Sequence, residues 1–316
     1  MRVVYFGSGD FAVPCLRWLV GSPHELAFVV TQPDRPAGRG KRLMPTPVAD
    51  KAEEEGLIVE RCPDVNAREF VGRLFELEAD LGIVIAFGQK LLEPARRAFR
   101  WGCINLHASL LPKFRGAAPI PRAMLAGETE TGVTVFRLVD RMDAGPILVQ
   151  RRTAILPTET ADDLEGRLAR IGCDALQAAL SLFGQGPPPE GQVQDESQTS
   201  RAPRLTKADG YLRFDEPAER IALRCRAMWS WPGARCRFVP AAGDNSGEEV
   251  ALAQVCPVPV PATTAPGTVT DVLTVATGSG CLEIHSLQPA GGRVMGWRDF
   301  VNGRHVKPGD RFEALA

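Results

Sequence analysis

No stretch of this 316-residue chain approaches the ~20 consecutive apolar residues that cross a bilayer, so no membrane span is expected. An excess of one charge sign is missing too. With 37 Lys and Arg against 38 Asp and Glu the net charge is −1, so no global field favours nucleic acid or a lipid surface, and any basic surface must be local. Eight cysteines are present, but no two form a C-x-x-C pair and several lie in apolar runs such as 12–16 and 102–106. That usage excludes a zinc or disulfide frame legible from spacing and suits a reducing compartment. Histidine is scarce, and His24, His285 and His305 stand far apart without ligand spacing, so no metal is expected. Neither a G-x-S-x-G nor an H-E-x-x-H motif occurs. Strand-like sequence begins at Arg2, which leaves no space for a targeting peptide, and the expected compartment is the cytoplasm.

What is present describes an ordinary globular protein, 44% hydrophobic and 24% charged, long enough for two domains. Short apolar runs at Val3–Phe6, Leu26–Val30, Gly82–Ala86, Cys103–Leu106, Val133–Leu138 and Ile147–Val149 predict strands. Helical patterns fall between them. Phe11–Val20 has Asp10 as its expected N-cap, Val65–Leu77 keeps a 3.6-residue apolar period, and Ala161–Phe183 follows a Thr160/Asp163 capping box. This alternation predicts an α/β domain with a doubly wound, mostly parallel sheet over residues 1–186. A Pro/Gly-rich run opens a linker at 187–204. From 205 to 316, after a helical patch at Pro217–Met228, strand-like runs at Gly267–Val275 and Cys281–Leu287 predict a small β-barrel or sandwich. The turn signals at 243–247 and 277–280 support hairpins there.

Three motifs carry chemistry. Asn105 and His107 stand two apart at the end of an apolar approach, so on an extended chain they share a side, and Pro112 then stops the strand. Open α/β sheets place their sites at such strand ends, although a packed histidine held by a loop carbonyl reads the same way. Gly7-Ser8-Gly9-x-x-Ala12 fits a dinucleotide turn, but no acid ends the second strand, and a tight turn needing small residues explains it equally. Asp34–Arg42 is a Pro/Gly-broken stretch with four cations, Arg35, Arg39, Lys41 and Arg42; it is either a solvated charge run or a phosphate contact.

Together these pieces resemble the methionyl-tRNA formyltransferases nearly end to end. The resemblance rests on Thr31–Lys41, on Asn105–Pro112 with Arg115–Ile120, on Glu130–Thr134 leading to Asp143-Ala144-Gly145, and on Leu287–Gly291 with Phe300–Gly309. It implies a Rossmann-like formyltransferase domain followed by an OB-like tRNA-binding barrel. It also implies 10-formyltetrahydrofolate as the donor and initiator methionyl-tRNA, held by its acceptor stem, as the partner. By the same resemblance Asn105, His107 and Asp143 are catalytic, and Ser109, Leu110, Leu111 and Pro112 lie along the folate. Arg35, Arg39, Lys41 and Arg42 then grip the tRNA, with Lys207, Arg213, Arg224, Arg226, Arg235 and Arg237 extending the track. From Arg204 onward 13 Lys and Arg face 12 Asp and Glu, so only clustering can make that domain basic. The opening turn Gly7-Ser8-Gly9-Asp10 and the Pro-rich 255–266 loop depart from the family pattern. Nothing demands more than a monomer. A sugar-nucleotide formyltransferase or a formyltetrahydrofolate hydrolase with the same Asn-His-Asp core is the alternative.

Overall fold

Val3, Val4, Tyr5 and Phe6 are all fully buried, the pattern of a strand covered on both faces in the middle of a parallel sheet. The structure is a computed structural model that describes residues 1–37, 42–184, 189–241 and 247–315. The chain packs as two units. The first comprises Met1–Pro119, Glu130–Ala154 and Glu165–Pro203; the second comprises Ile120–Thr129, Ile155–Leu164 and Arg204–Ala316.

The chain opens with β1 (Arg2–Gly7), α1 (Val13–Val20) and β2 (Glu25–Thr31). Two short antiparallel strands, β3 (Arg35–Ala37) and β4 (Arg42–Met44), precede α2 (Pro47–Glu54), β5 (Val59–Arg61), α3 (Arg68–Glu76) and β6 (Leu81–Ile85). Then come α4 (Glu93–Arg96), β7 (Cys103–His107), β8 (Arg115–Gly116) and α5 (Pro119–Leu125). The antiparallel pair β9 (Glu130–Arg137) and β10 (Ile147–Ala154) leads to the long α6 (Ala161–Phe183) and to β11 (Arg201–Ala202). The main sheet runs β10-β9-β7-β6-β1-β2-β5; β5, β2, β1, β6 and β7 are parallel, and β9 and β10 close one side antiparallel. From β1 the chain winds outward through β2 to β5, then returns to β6 and β7 on the other side. The order therefore reverses between β1 and β6, and β7 lies one strand beyond that reversal, where open α/β sheets gather their sites.

Phe6, Phe87 and Phe99 pack edge to face beneath this sheet with Val4, Val30, Val84 and Leu74. Each such buried side chain contributes about 1.5–3 kcal/mol. The Thr160/Asp163 box forms as read, with Asp163 accepting from the Thr160 backbone N–H and the Thr160 hydroxyl bonded to Asp163. Asp10 does not cap. The chain takes a 3-10 turn at Asp10–Ala12 before α1, and neither helix has a side-chain cap bond. The described part of the expected linker is tied into the first unit. Gln192 bridges Ile147, and β11 pairs parallel with β8.

In the second unit α7 (Ala218–Met228) is followed by β12 (Ala234–Val239), β13 (Glu248–Val258), β14 (Val275–Ala276), β15 (Cys281–Pro289), β16 (Met295–Gly296), α8 (Trp297–Arg304) and β17 (Arg311–Glu313). Their order is β14-β15-β13-β12-β17, with β16 on β15. Thr268 bridges Arg311 of β17 and Val269 bridges Val275 of β14, so one segment nearly closes the sheet into a barrel. Phe238, Phe300, Phe312 and Ile221 fill its core. Two expectations change. Gly267–Val275 is not one strand, because Thr270 and Thr274 bond to each other across a turn. Residues 255–258, read as loop, continue β13; past Leu252 that strand pairs only with β15, which leaves the open side that Pro257 needs. The turn at 277–280 forms, the Thr277 hydroxyl donating to Ser279 and Gly280 carbonyls, whereas 243–246 lie outside the described residues.

Candidate active site

Strand β7 ends at His107, and the pleat puts Asn105 on the same side as His107. Asn105 is half-buried, and among the described residues its side-chain amide makes no hydrogen bond. His107 is 7% exposed, and its Nε2 lies 2.9 Å from the Phe114 carbonyl oxygen. A carbonyl only accepts, so Nε2 donates and, in the neutral ring, Nδ1 keeps the lone pair. The packed-histidine reading is therefore true of one nitrogen and leaves the other for chemistry. Gly172 makes room for this strand: a Cβ there would lie 2.6 Å from the Leu106 Cδ2.

Asp143 sits in the turn after β9 with φ +51°, a left-handed conformation that aspartate tolerates better than most residues. Its Oδ2 accepts from the Gly116 N–H at 2.8 Å. No hydrogen bond joins Asp143 to His107 among the described residues, so the carboxylate does not hold the imidazole directly. One short segment instead holds both, through the Phe114 carbonyl and the Gly116 N–H. That segment is anchored by Ser200, whose hydroxyl accepts from the Phe114 N–H and whose carbonyl accepts from the Arg115 N–H. Gly116 has φ +132°, and a Cβ on it would meet the Ala202 carbonyl oxygen at 2.4 Å, so only glycine allows this approach.

Residues 109–112 form a tight, internally satisfied turn. The Ser109 hydroxyl donates to the Lys113 carbonyl, and the Leu110 carbonyl accepts from the Lys113 N–H. Thr134, fully buried on β9, donates its hydroxyl to the Ser109 carbonyl and accepts from the Leu111 N–H, while Gln150 of β10 donates to the Leu111 carbonyl and to Thr134. Ser109 and Leu111 are buried; Leu110 and Pro112 are half-buried. Sequence reasoning missed Thr134, Gln150, Arg115, Gln194 and Ser200. Arg115 and Thr134 lie in stretches that carry the resemblance, though without a role of their own, and Gln150, Gln194 and Ser200 stand in no motif; tertiary pairing brings all five here.

In the Gly7–Asp10 turn the Gly9 N–H donates to the Ala86 carbonyl at 3.3 Å. The Ser8 hydroxyl donates to the Phe87 carbonyl and accepts from the Gln32 N–H, and Asp34 is paired with Arg61 at 2.7 Å. Of the basic stretch, Arg35 on β3 and Arg42 on β4 are exposed, and Arg35 bonds the Gln32 side chain. Arg39 and Lys41 lie outside the described residues. In the second unit Arg213, Arg224 and Arg235 are ion-paired with Asp215, Glu216 and Glu249, and Arg226 donates to the Glu159 carbonyl. Among the described residues that leaves Lys207 and Arg237 of the expected track without an acidic partner. No group of three or more His, Cys, Asp or Glu is placed to hold a metal ion, and no helix is long and apolar enough to cross a membrane, again among the described residues.

A formyl transferase family model matches residues 1–180, and the formyl transferase C-terminal domain model matches 204–305. A protein of Halorhodospira halophila named methionyl-tRNA formyltransferase is 43% identical over 314 residues, covering 98% of both chains. One of the same name from Methylococcus capsulatus is 41% identical, covering 98% of this chain and 99% of its own. Among solved structures, HypX from Aquifex aeolicus in complex with tetrahydrofolic acid matches with a TM-score of 0.67 at 15% identity; the match covers 98% of this chain and 48% of that longer one. That likeness is one of fold. With both family models matched in order and relatives above 40% identity over nearly the whole length, the chain belongs to the formyl transferase family, on its methionyl-tRNA formyltransferase branch.

Proposed function

We propose that this enzyme moves the formyl group of 10-formyltetrahydrofolate to the α-amine of methionine on initiator methionyl-tRNA. The observation that carries the reading is the unpartnered Asn105 amide beside a His107 whose Nε2 is already committed to Phe114. Attack of an amine on a formamide-like carbonyl makes a C–N bond, builds an oxyanion, sheds an amine proton and then breaks the bond to N10. Asn105 donates its amide hydrogens to the oxyanion, a service worth roughly 3–4 kcal/mol. His107 takes the amine proton on Nδ1 and returns it to the leaving nitrogen, since imidazoles exchange protons near neutral pH. Asp143, pinned by Gly116 rather than bonded to the imidazole, acts through a water or through its charge.

Residues Ser109, Leu110, Leu111 and Pro112 border the folate in this reading. Because Ser109 and Leu111 are buried and internally bonded, half-buried Leu110 and Pro112 supply the contact surface. Arg35, Arg39, Lys41 and Arg42 take the phosphates of the tRNA acceptor end, a salt-sensitive contribution that positions rather than specifies. The protein works in the cytoplasm, as a monomer and without a metal. Incubation with 10-formyltetrahydrofolate and charged initiator tRNA tests the reading. Formyl-methionyl-tRNA is the expected product; no product, or equal turnover of a nucleotide amino sugar, overturns it.

A further inference from the structure

Gln194 lies outside both matched family regions, in the stretch whose composition suggested a linker, yet it is only 5% exposed. Its Nε2 donates to the carbonyl of Asp143 at 2.9 Å and to that of Gly145 at 2.7 Å. Its Oε1 accepts from Arg115 Nε at 3.1 Å and Nη2 at 2.7 Å. Two acceptors on one side and a guanidinium on the other allow a single orientation of the amide. Arg115 is itself buried and continues to Glu196, which also pairs with Arg141 in the Asp143 turn.

Before Asp143 the turn is held by the Asp140–Arg96 ion pair at 2.6 Å and by Arg141 on Glu196; at Asp143 itself the holding groups are the Gly116 N–H and Gln194. Asp140, Arg141 and Met142 are exposed, and Asp143 occupies a left-handed φ that needs outside support. The Gly116 N–H fixes the carboxylate and Gln194 fixes the backbone on both sides of Ala144. Since Arg115 stands between the Phe114 carbonyl on His107 and the Gly116 N–H on Asp143, one amide ties His107 and Asp143 to the same frame. We infer that Gln194 is a positioning residue for formyl transfer, acting through Asp143. The inference rests on the reading of Asp143 given above.

The test compares full-length Gln194→Glu, Gln194→Met, Asp143→Asn and the double variant Asp143→Asn/Gln194→Met by steady-state formylation and thermal melting. Gln194→Glu still accepts from Arg115, so it keeps the segment braced, but it replaces the two donated bonds by a carboxylate oxygen facing the Asp143 and Gly145 carbonyls. Both Gln194 variants are expected to lose on the order of 10- to 100-fold in kcat with KM for each substrate within about twofold. The double variant is expected to be no slower than Asp143→Asn, because two residues acting as one unit do not lose independently. A kcat for Gln194→Glu within about twofold of the parent, or losses that multiply in the double variant, would overturn the inference. If Asp143→Asn is slow while both Gln194 variants are fast, only the Gln194 assignment fails. If Asp143→Asn turns over at the parent rate, the role of Asp143 fails and this one falls with it.

Discussion

Replacing Thr134 by valine removes one hydroxyl and almost no volume, which makes it a clean probe of the turn beside His107. The hydroxyl donates to the Ser109 carbonyl at 2.6 Å and accepts from the Leu111 N–H at 3.1 Å, in a residue with no exposed surface. Valine fills the space but answers neither group. Gln150 loses its 3.0 Å bond to Thr134 and keeps its 2.8 Å bond to the Leu111 carbonyl, so it is the least affected partner. Leaving a buried backbone donor and acceptor unmatched costs about 2–5 kcal/mol in total. At about 2–4 °C per kcal/mol, the melting temperature of the variant should fall by about 10 °C. Part of the loss is expected to appear as looseness of residues 109–112, raising KM for 10-formyltetrahydrofolate severalfold while KM for tRNA holds. Differential scanning fluorimetry and initial rates measure both quantities. A variant melting within about 1 °C of the parent, with an unchanged donor KM, would refute the claim that this hydroxyl builds the turn.

Arg39→Ala should raise KM for tRNA, most at low salt and less as salt increases, and leave KM for the folate donor untouched; an unchanged tRNA KM at physiological salt counts against a phosphate contact. Gly145→Ala places a Cβ 1.7 Å from the Arg137 carbonyl oxygen, so the turn of Asp143 must move; the variant should be inactive or misfolded, and parental activity would show that the turn is pliable. Acid should weaken the fold through carboxylates held below their usual range: Glu196 by Arg115, Asp140 by Arg96 and Asp163 by Thr160. Depressed values mean that this stability is present above the ordinary carboxylate range and is lost as pH falls through the depressed ones. Melting temperature should therefore drop from about pH 5 downward, less steeply in Glu196→Gln, and equal slopes would exclude Glu196 as a contributor.

Six strands of the first unit were legible because they hold continuous apolar runs, as Val3–Phe6 and Gly82–Ala86 do, whereas β3, β4, β5, β8 and β11, two or three residues long, offer no such run. The 270–274 turn was not, because Thr270 and Thr274 carry strand-like propensity and only their mutual bond reverses the chain. Asp10 likewise had the right type for a cap but meets a 3-10 turn instead. At the site, Asn105 and His107 could be placed together because the strand period is local and strict.

The sequence by itself determined that Asn105 and His107 share a side at a strand end, because that spacing is local. It also determined the family, through a resemblance that runs nearly end to end and that implies the roles of Asn105, His107 and Asp143. The tertiary structure alone decided which nitrogen of His107 is occupied, that Asp143 is held by Gly116 and not by the imidazole, and that Gln194, Ser200 and β11 bond to the segments that carry or hold them. The His107–Phe114 bond spans seven positions and the others 27 to 86, and no local periodicity records such pairings.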